Sequence, residues 1–325
     1  MMRNLRILYA GSPLASAIVL RSLIEAQDEC GFKIVGVLTN PPSSRGRHSA
    51  LIPTEVASAA RESGVPVLEF DHLLAESREA VAPLGADLLV SFDYGRIFGE
   101  KFLSLFPLGG INLHPSALPK YRGCTPVPAA ILNGDRTLGV TVQKLALRMD
   151  EGDILARSEI ALDGTETTLS LMDGDGKSSK VTDAGAALLK KVLSEIAAAK
   201  SPLTGEKQSG EASCTPLLKK DDGRIDWSAG AAQIERRIRA YTPYPLCFTM
   251  LGGARVTILK ARSGEARTEE KAGTVLPYRK SVGIEIACGD GSVLVVTELQ
   301  QEKKKAMDYK SFVNGARDFV GAVLG

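Results

Sequence analysis

The sequence predicts an α/β domain, a mostly parallel sheet with helices on both faces, followed by a small antiparallel β-barrel. Three observations carry this. Short apolar runs alternate with amphipathic stretches through the front of the chain, the apolar periodicity then stops, and beyond the gap strand-like runs recur between turn residues. With 325 residues, 44% of them hydrophobic, the chain can bury two cores.

Taken in order, Arg6 to Ala10 reads as a strand and Leu14 to Ala26 as a helix. Lys33 to Thr39 is a second strand and Pro53 to Ser63 a second helix. Ala86 to Phe92 and Gly110 to Leu113 are buried strands; a helix over Pro126 to Leu132, a strand over Gly139 to Leu145 and a helix over Ala184 to Ala198 follow. This succession is Rossmann-like. The first turn, Ala10-Gly11-Ser12-Pro13, lacks the Gly-x-Gly-x-x-Gly spacing that admits a pyrophosphate, so NAD is set aside. Asp173-Gly174-Asp175-Gly176-Lys177-Ser178 misses both the phosphate-loop glycine and the calcium-loop glutamate and reads as an exposed polar loop.

Around Lys200 to Thr215 lies the expected linker, giving domains over 1–199 and 216–325. Beyond it, Asp226-Trp227-Ser228 is placed to cap a short helix whose apolar positions are Ala231, Ile234 and Ile238. Strands are expected over Arg255 to Leu259, Gly273 to Leu276, Gly283 to Cys288 and Ser292 to Leu299, an OB-like barrel.

A net charge of +2 excludes a global field for nucleic acid and leaves local patches. Arg236, Arg237 and Arg239, the run Lys303-Lys304-Lys305, and a long loop from Thr39 to Ser49 holding Arg45 and Arg47 are those patches. A solvated face is the plainer reading of each. Cys30, Cys124, Cys214, Cys247 and Cys288 show no disulfide or zinc spacing, which implies reduced thiols. No signal-peptide pattern or bilayer-length apolar run is present, so a cytoplasmic protein without membrane contact is expected.

The chemistry concentrates in Ile111-Asn112-Leu113-His114-Pro115-Ser116-Ala117-Leu118-Pro119 and in Met149-Asp150-Glu151-Gly152-Asp153. Asn112 and His114 are two apart on a strand, so their side chains leave one face, at the carboxyl end where ligands bind in such sheets. An amide and an imidazole aimed together stabilise an oxyanion, and an acid such as Asp150 orients the imidazole or relays protons; such a site needs no metal. The competing reading is a satisfied strand-end histidine, a turn asparagine and an Asp-Glu-Gly turn.

The wider string resembles the methionyl-tRNA formyltransferase family, in which an Asn-x-His strand runs into Ser-Leu-Leu-Pro-x-x-Arg-Gly and a later Asp-rich loop supplies the catalytic acid. The likeness extends to Gly223-Arg224-Ile225-Asp226-Trp227-Ser228 and to Arg237-Ile238-Arg239-Ala240-Tyr241-Thr242-Pro243, so it covers nearly the whole chain. It implies that Asn112, His114 and Asp150 are catalytic, with Asp150 keeping His114 charged or oriented and Asp153 as the rival if the register is off. It implies 10-formyltetrahydrofolate as donor, in a pocket lined by Phe92, Asp93, Tyr94 and Gly95 and by Ser116, Ala117, Leu118 and Pro119. It implies initiator methionyl-tRNA as acceptor, met by Arg47 and Arg45 of the long loop; the basic clusters Arg236, Arg237 and Lys303, Lys304 and Lys305 are expected to follow the RNA backbone by charge, and a monomer is expected. Ala117 stands where the family commonly has leucine, and His48, Ser49 and Ala50 replace basic loop residues, which implies weaker or re-routed RNA contact. The competing reading of Phe92 and Tyr94 is core aromatics, and Arg122 reads as an anion contact or a clamp on the site, or as a solvated arginine beside a turn glycine. The alternative acceptors are water and an amino sugar, and the alternative class is a non-catalytic RNA-binding protein.

Overall fold

The computed structural model describes residues 4–44, 50–316 and 319–325. The chain divides into two compact units, one of Met1–Pro126, Thr137–Ala161 and Ser170–Pro216, the other of Val127–Arg136, Leu162–Leu169 and Leu217–Gly325.

The first unit is built on seven strands: β1 (Leu5–Ala10), β2 (Phe32–Thr39), β3 (Val67–Glu69), β4 (Leu88–Ser91), β5 (Gly110–His114), β6 (Thr137–Lys144) and β7 (Ile154–Ala161). Their order across the sheet is β7-β6-β5-β4-β1-β2-β3. Pairing is parallel from β3 to β5 and antiparallel at β5-β6 and β6-β7. The central strands are covered on both faces, which is why they read as unbroken apolar runs: Ile7, Leu8, Tyr9, Leu89 and Val90 have no measurable exposure. Burying each such side chain contributes about 1.5–3 kcal/mol.

Three helices fix this sheet: α1 (Leu14–Ala26), α2 (Glu55–Glu62) and α4 (Lys180–Ala199), with α3 (Pro126–Asn133) between the last two in the chain. Helix α4 packs on β6 and β7. It starts before the expected Ala184 because Ser179 and Thr182 form a capping box, the Ser179 Oγ accepting from the Thr182 N–H at 3.1 Å and the Thr182 Oγ1 from the Ser179 N–H at 2.9 Å. Gly185 lets α4 approach the sheet, since a Cβ there would lie 2.5 Å from Leu113 Cδ2. Leu113 therefore lies under the helix. By strand alternation Asn112 and His114 face the other way.

The stretch expected as a linker belongs to the first unit. Glu206 and Ile154 exchange backbone hydrogen bonds at 2.7 and 2.8 Å, and Cys214–Thr215 pairs in parallel with Arg122–Gly123. Its contacts are polar and main-chain, so apolar periodicity could not reveal them.

The second unit carries α5 (Ala231–Ala240) and the strands β8 (Cys247–Leu251), β9 (Ala254–Arg267), β10 (Ile284–Ala287), β11 (Ser292–Gln301) and β12 (Met307–Asp308). They form an antiparallel sheet of order β8-β9-β11-β10, with β12 on β11. Backbone bonds close it into a ring: Val275 bridges Ile286 in β10, Thr274 bridges Val323, and Gly325 exchanges hydrogen bonds with Met250 in β8. The expected strand over Gly273 to Leu276 is thus present as bridges. Asp226 does not cap α5, because its Oδ1 is spent on the Ser228 N–H and hydroxyl. The helix starts after Gly230, and the Ala231 N–H donates instead to Ser292 Oγ at 2.8 Å. Among the described residues no helix is long and apolar enough to cross a membrane.

Candidate active site

The site starts where β5 ends. His114 is 5% exposed, and its Nε2 lies 2.9 Å from the carbonyl oxygen of Tyr121, a residue held at φ 60°. A carbonyl only accepts, so Nε2 carries the proton and Nδ1 presents a lone pair. Asp150 stands on the Nδ1 side, with Oδ2 at 3.7 Å, in Coulomb range but beyond a hydrogen bond.

Two donors fix that carboxylate: the Gly123 N–H to Oδ2 at 2.8 Å and Gln143 Nε2 to Oδ1 at 2.8 Å. Burial pushes the imidazole below its ordinary 6.5, and this outweighs the Asp150 charge and the Tyr121 carbonyl, both of which raise it. His114 rests neutral. Of the two roles expected of Asp150, keeping the ring charged or orienting it, the first is opposed by burial, while the carboxylate partly offsets that burial.

Asn112 is half-buried, and in the antiparallel β5-β6 register it lies opposite Gln143, as His114 lies opposite Thr141. All four share one face. Among the described residues the Asn112 carboxamide has no side-chain hydrogen-bond partner, whereas Thr141 is spent on the Ser116 carbonyl at 2.6 Å. An open amide donor, a neutral imidazole and an anchored carboxylate are thus brought together. Asp153, the rival acid, instead pairs with Lys207 Nζ at 3.0 Å.

Gln143 was missed by sequence reasoning, though a signal existed: Thr141 and Gln143 are buried polar residues alternating with Val140 and Val142 in one strand. Gln208 was missed altogether. Its Nε2 donates to the carbonyls of Asp150 and Gly152, both at 2.8 Å, and its Oε1 accepts from Arg122 Nη2 at 2.7 Å. Arg122 also reaches Glu151 at 3.1 Å, so it braces the loop from within. The loop leaves no slack, because a Cβ on Gly152 would sit 1.7 Å from the Lys144 carbonyl oxygen. Gly152→Ala is expected to displace Asp150 and lower the rate of the reaction by roughly 10²-fold while the protein still folds, as rate and circular dichroism measured together would show.

The expected pocket wall is only partly as read. Phe92 and Tyr94 are 1% and 2% exposed, and Tyr94 stacks on Phe98 at 5.4 Å, so both rings belong to the core. Their carbonyls accept from Ser16 Oγ and Asn40 Nδ2. Asp93, between them, and Gly95, after Tyr94, are exposed. Protein crowding around the Asp93 carboxyl, together with the Asp173 carboxylate, pushes it up to about 6. In the second wall Ser116, Leu118 and Pro119 are buried, Ser116 Oγ donating to the Lys120 carbonyl at 2.6 Å, and Ala117 is exposed.

Of the basic residues, Lys303, Lys304 and Lys305 are exposed on the turn between β11 and β12. Arg237 donates to the Asp222 carbonyl and lies over the Tyr241 ring, a structural role in the second unit, and Arg236 is half-buried beside Gly134 with its Nε unpartnered among the described residues. Arg45 and Arg47 lie outside the described residues.

Comparison with known proteins matches residues 4–191 to the Formyl transferase family and residues 217–317 to the Formyl transferase C-terminal domain. The methionyl-tRNA formyltransferase of Treponema denticola is 41% identical over 97% of this chain and 98% of its own length. That of Pseudoalteromonas translucida is 36% identical over 100% of this chain and 99% of its own length. Among solved structures, HypX from Aquifex aeolicus in complex with tetrahydrofolic acid has a TM-score of 0.63 at 18% identity; the match covers 97% of this chain and 48% of HypX, so this chain spans about half of that protein and shares its fold. With both domains matched in order and full-length relatives above a third identical, the chain belongs to the formyl transferase family, among the methionyl-tRNA formyltransferases.

Proposed function

We propose that this protein moves the formyl group of 10-formyltetrahydrofolate onto the α-amino group of initiator methionyl-tRNA, as a monomer in the cytoplasm. The observation that carries the reading is the meeting of the Asn112 amide, the neutral His114 and the doubly anchored Asp150 at the carboxyl end of β5.

The amine attacks the formyl carbon, forming the new C–N bond and an oxyanion. Asn112 donates to that oxygen. His114 Nδ1 takes the proton released by the nitrogen, and the imidazolium so formed lies between the Asp150 carboxylate and the Tyr121 carbonyl. Once protonated at Nδ1, His114 has a second N–H for the oxyanion. As the old C–N bond breaks, His114 returns the proton to the departing folate nitrogen. Asp93 and Gly95, facing outward beside the strand ends, form the exposed rim for the folate. Lys303, Lys304 and Lys305 meet RNA phosphates by charge alone, together with Arg236 and Arg237 and with Arg45 and Arg47 from the sequence between β2 and α2.

Asn112→Ala is expected to cost about 2.7–4 kcal/mol of transition-state stabilisation, with the folate dissociation constant nearly unchanged. Quench-flow measurement of formylmethionyl-tRNA, beside folate binding by fluorescence, reads both. Formylated tRNA and released tetrahydrofolate are expected in equal amounts with charged initiator tRNA. Folate release without tRNA would make the acceptor water, transfer to an amino sugar would make it a sugar enzyme, and no turnover with any acceptor would leave an RNA-binding protein.

A further inference from the structure

Gln208 sits in the polar stretch after α4, and this stretch lies against the Asp150 loop. Glu206 and Ile154 are joined by their backbones, Lys207 pairs with Asp153, and a Cβ on Gly205 would come within 2.5 Å of Asp153 Cβ. In this setting the Gln208 amide nitrogen donates to the carbonyls of Asp150 and Gly152 at 2.8 Å each, and lies 3.4 Å from the Gln143 Oε1, the side chain that holds Asp150 Oδ1. Its oxygen faces the Arg122 guanidinium, accepting from Nη2 at 2.7 Å and Nε at 3.1 Å. That choice of partners fixes which way the amide points, because a guanidinium only donates and a carbonyl only accepts.

Asp150 needs such a hold. It occupies the left-handed region at φ 54°, which an L-residue adopts only when its surroundings impose it. Its carboxylate also has to stay beside His114 Nδ1. The Gly123 N–H and Gln143 fix the side chain, and Gln208 is what fixes the backbone beneath it.

We propose that Gln208 is a positioning residue for formyl transfer: clamped by Arg122, its amide holds the Asp150 loop in the conformation that sets the carboxylate beside His114. The proposal rests on the reading of Asp150 given above. Only glutamine fits the task, since glutamate lacks the two donors and asparagine is one methylene short.

The test is a double-mutant cycle on the full-length protein by single-turnover formyl transfer. Gln208→Ala is expected to lower the rate roughly 10²-fold with both substrate KM values nearly unchanged. Gln208→Glu, which keeps the volume and the Arg122 contact, is expected to match it. In the Asp150→Ala background Gln208→Ala is expected to cost nothing further, because the group it positions is gone. Amide exchange gives a readout independent of turnover: the Gly123 N–H, which donates to Asp150, should exchange roughly tenfold faster in Gln208→Ala. A wild-type rate in Gln208→Ala, a loss that persists undiminished without Asp150, or unchanged Gly123 exchange overturns the proposal. An inactive Asp150→Ala beside an unimpaired Gln208→Ala sinks this clamp alone, whereas a fully active Asp150→Ala sinks the Asp150 reading and the clamp with it.

Discussion

His114→Ala is expected to slow formyl transfer by roughly 10²–10⁴-fold, the largest single loss in the protein, with little change in folate affinity. The reason is double duty at one atom. Nε2 is committed to the Tyr121 carbonyl, so Nδ1 alone is open to the reacting groups: it takes the proton of the attacking nitrogen and then has an N–H to offer the oxyanion. Alanine removes both. Because the imidazole is buried and Asp150 faces it, the variant also leaves that carboxylate without its cationic partner in the transition state. His114→Gln tests the division of roles, since glutamine donates a hydrogen bond but cannot take a proton near neutral pH; it should recover little of the rate. Single-turnover formylation with folate binding measured in parallel checks both variants, and a His114→Ala enzyme within a few-fold of wild type would remove His114 from the chemistry.

Asp150→Asn is expected to cost roughly 10²–10³-fold in the same assay and to move the acid limb of the pH profile. The sign follows from the site. Both oxygens of Asp150 accept, one from the Gly123 N–H and one from Gln143, so an asparagine must turn its NH₂ toward one donor and loses that contact. Its charge also raises the His114 pKa against the burial that lowers it. With the charge gone, the imidazole titrates lower still. Activity that needs neutral His114 then persists to lower pH than in the wild type while its plateau falls, because the imidazolium formed in the reaction has lost its counter-charge. A limb that moves to higher pH, or an unchanged plateau, would contradict this role.

How much of this was legible in the sequence depends on the range of the interaction that made it. The pairing of Asn112 with His114 follows from the two-residue period of a strand, and the alternation of strands and helices gave the parallel sheet, because both are local patterns. Asp150 was out of reach of such reasoning. Its approach to His114 depends on the Gly123 turn and the β5-β6 register, and only the family resemblance located it. Gln208 was invisible for the opposite reason: the stretch around it has no apolar period, so it read as a linker, yet hydrogen bonds need none. Phe92 and Tyr94 show how a motif fixes position in the chain and packing fixes where a ring goes. Motif position gave them as pocket residues with core aromatics as the competing reading, and the Tyr94 ring packs with Phe98 in the core. Asp226 read as a helix cap because its residue type fits, but its own Ser228 lay closer.

Formyl transfer at this site turns on a neutral imidazole whose single proton is on Nε2, leaving Nδ1 open toward Asp150. The chain has three histidines, His48, His72 and His114, so ¹⁵N NMR of the imidazole nitrogens, assigned with His114→Gln, reads that state directly. At neutral pH His114 is expected to be uncharged and protonated at Nε2, gaining its second proton only below the ordinary histidine range. An imidazolium at neutral pH, or a neutral ring with its proton on Nδ1, would contradict it.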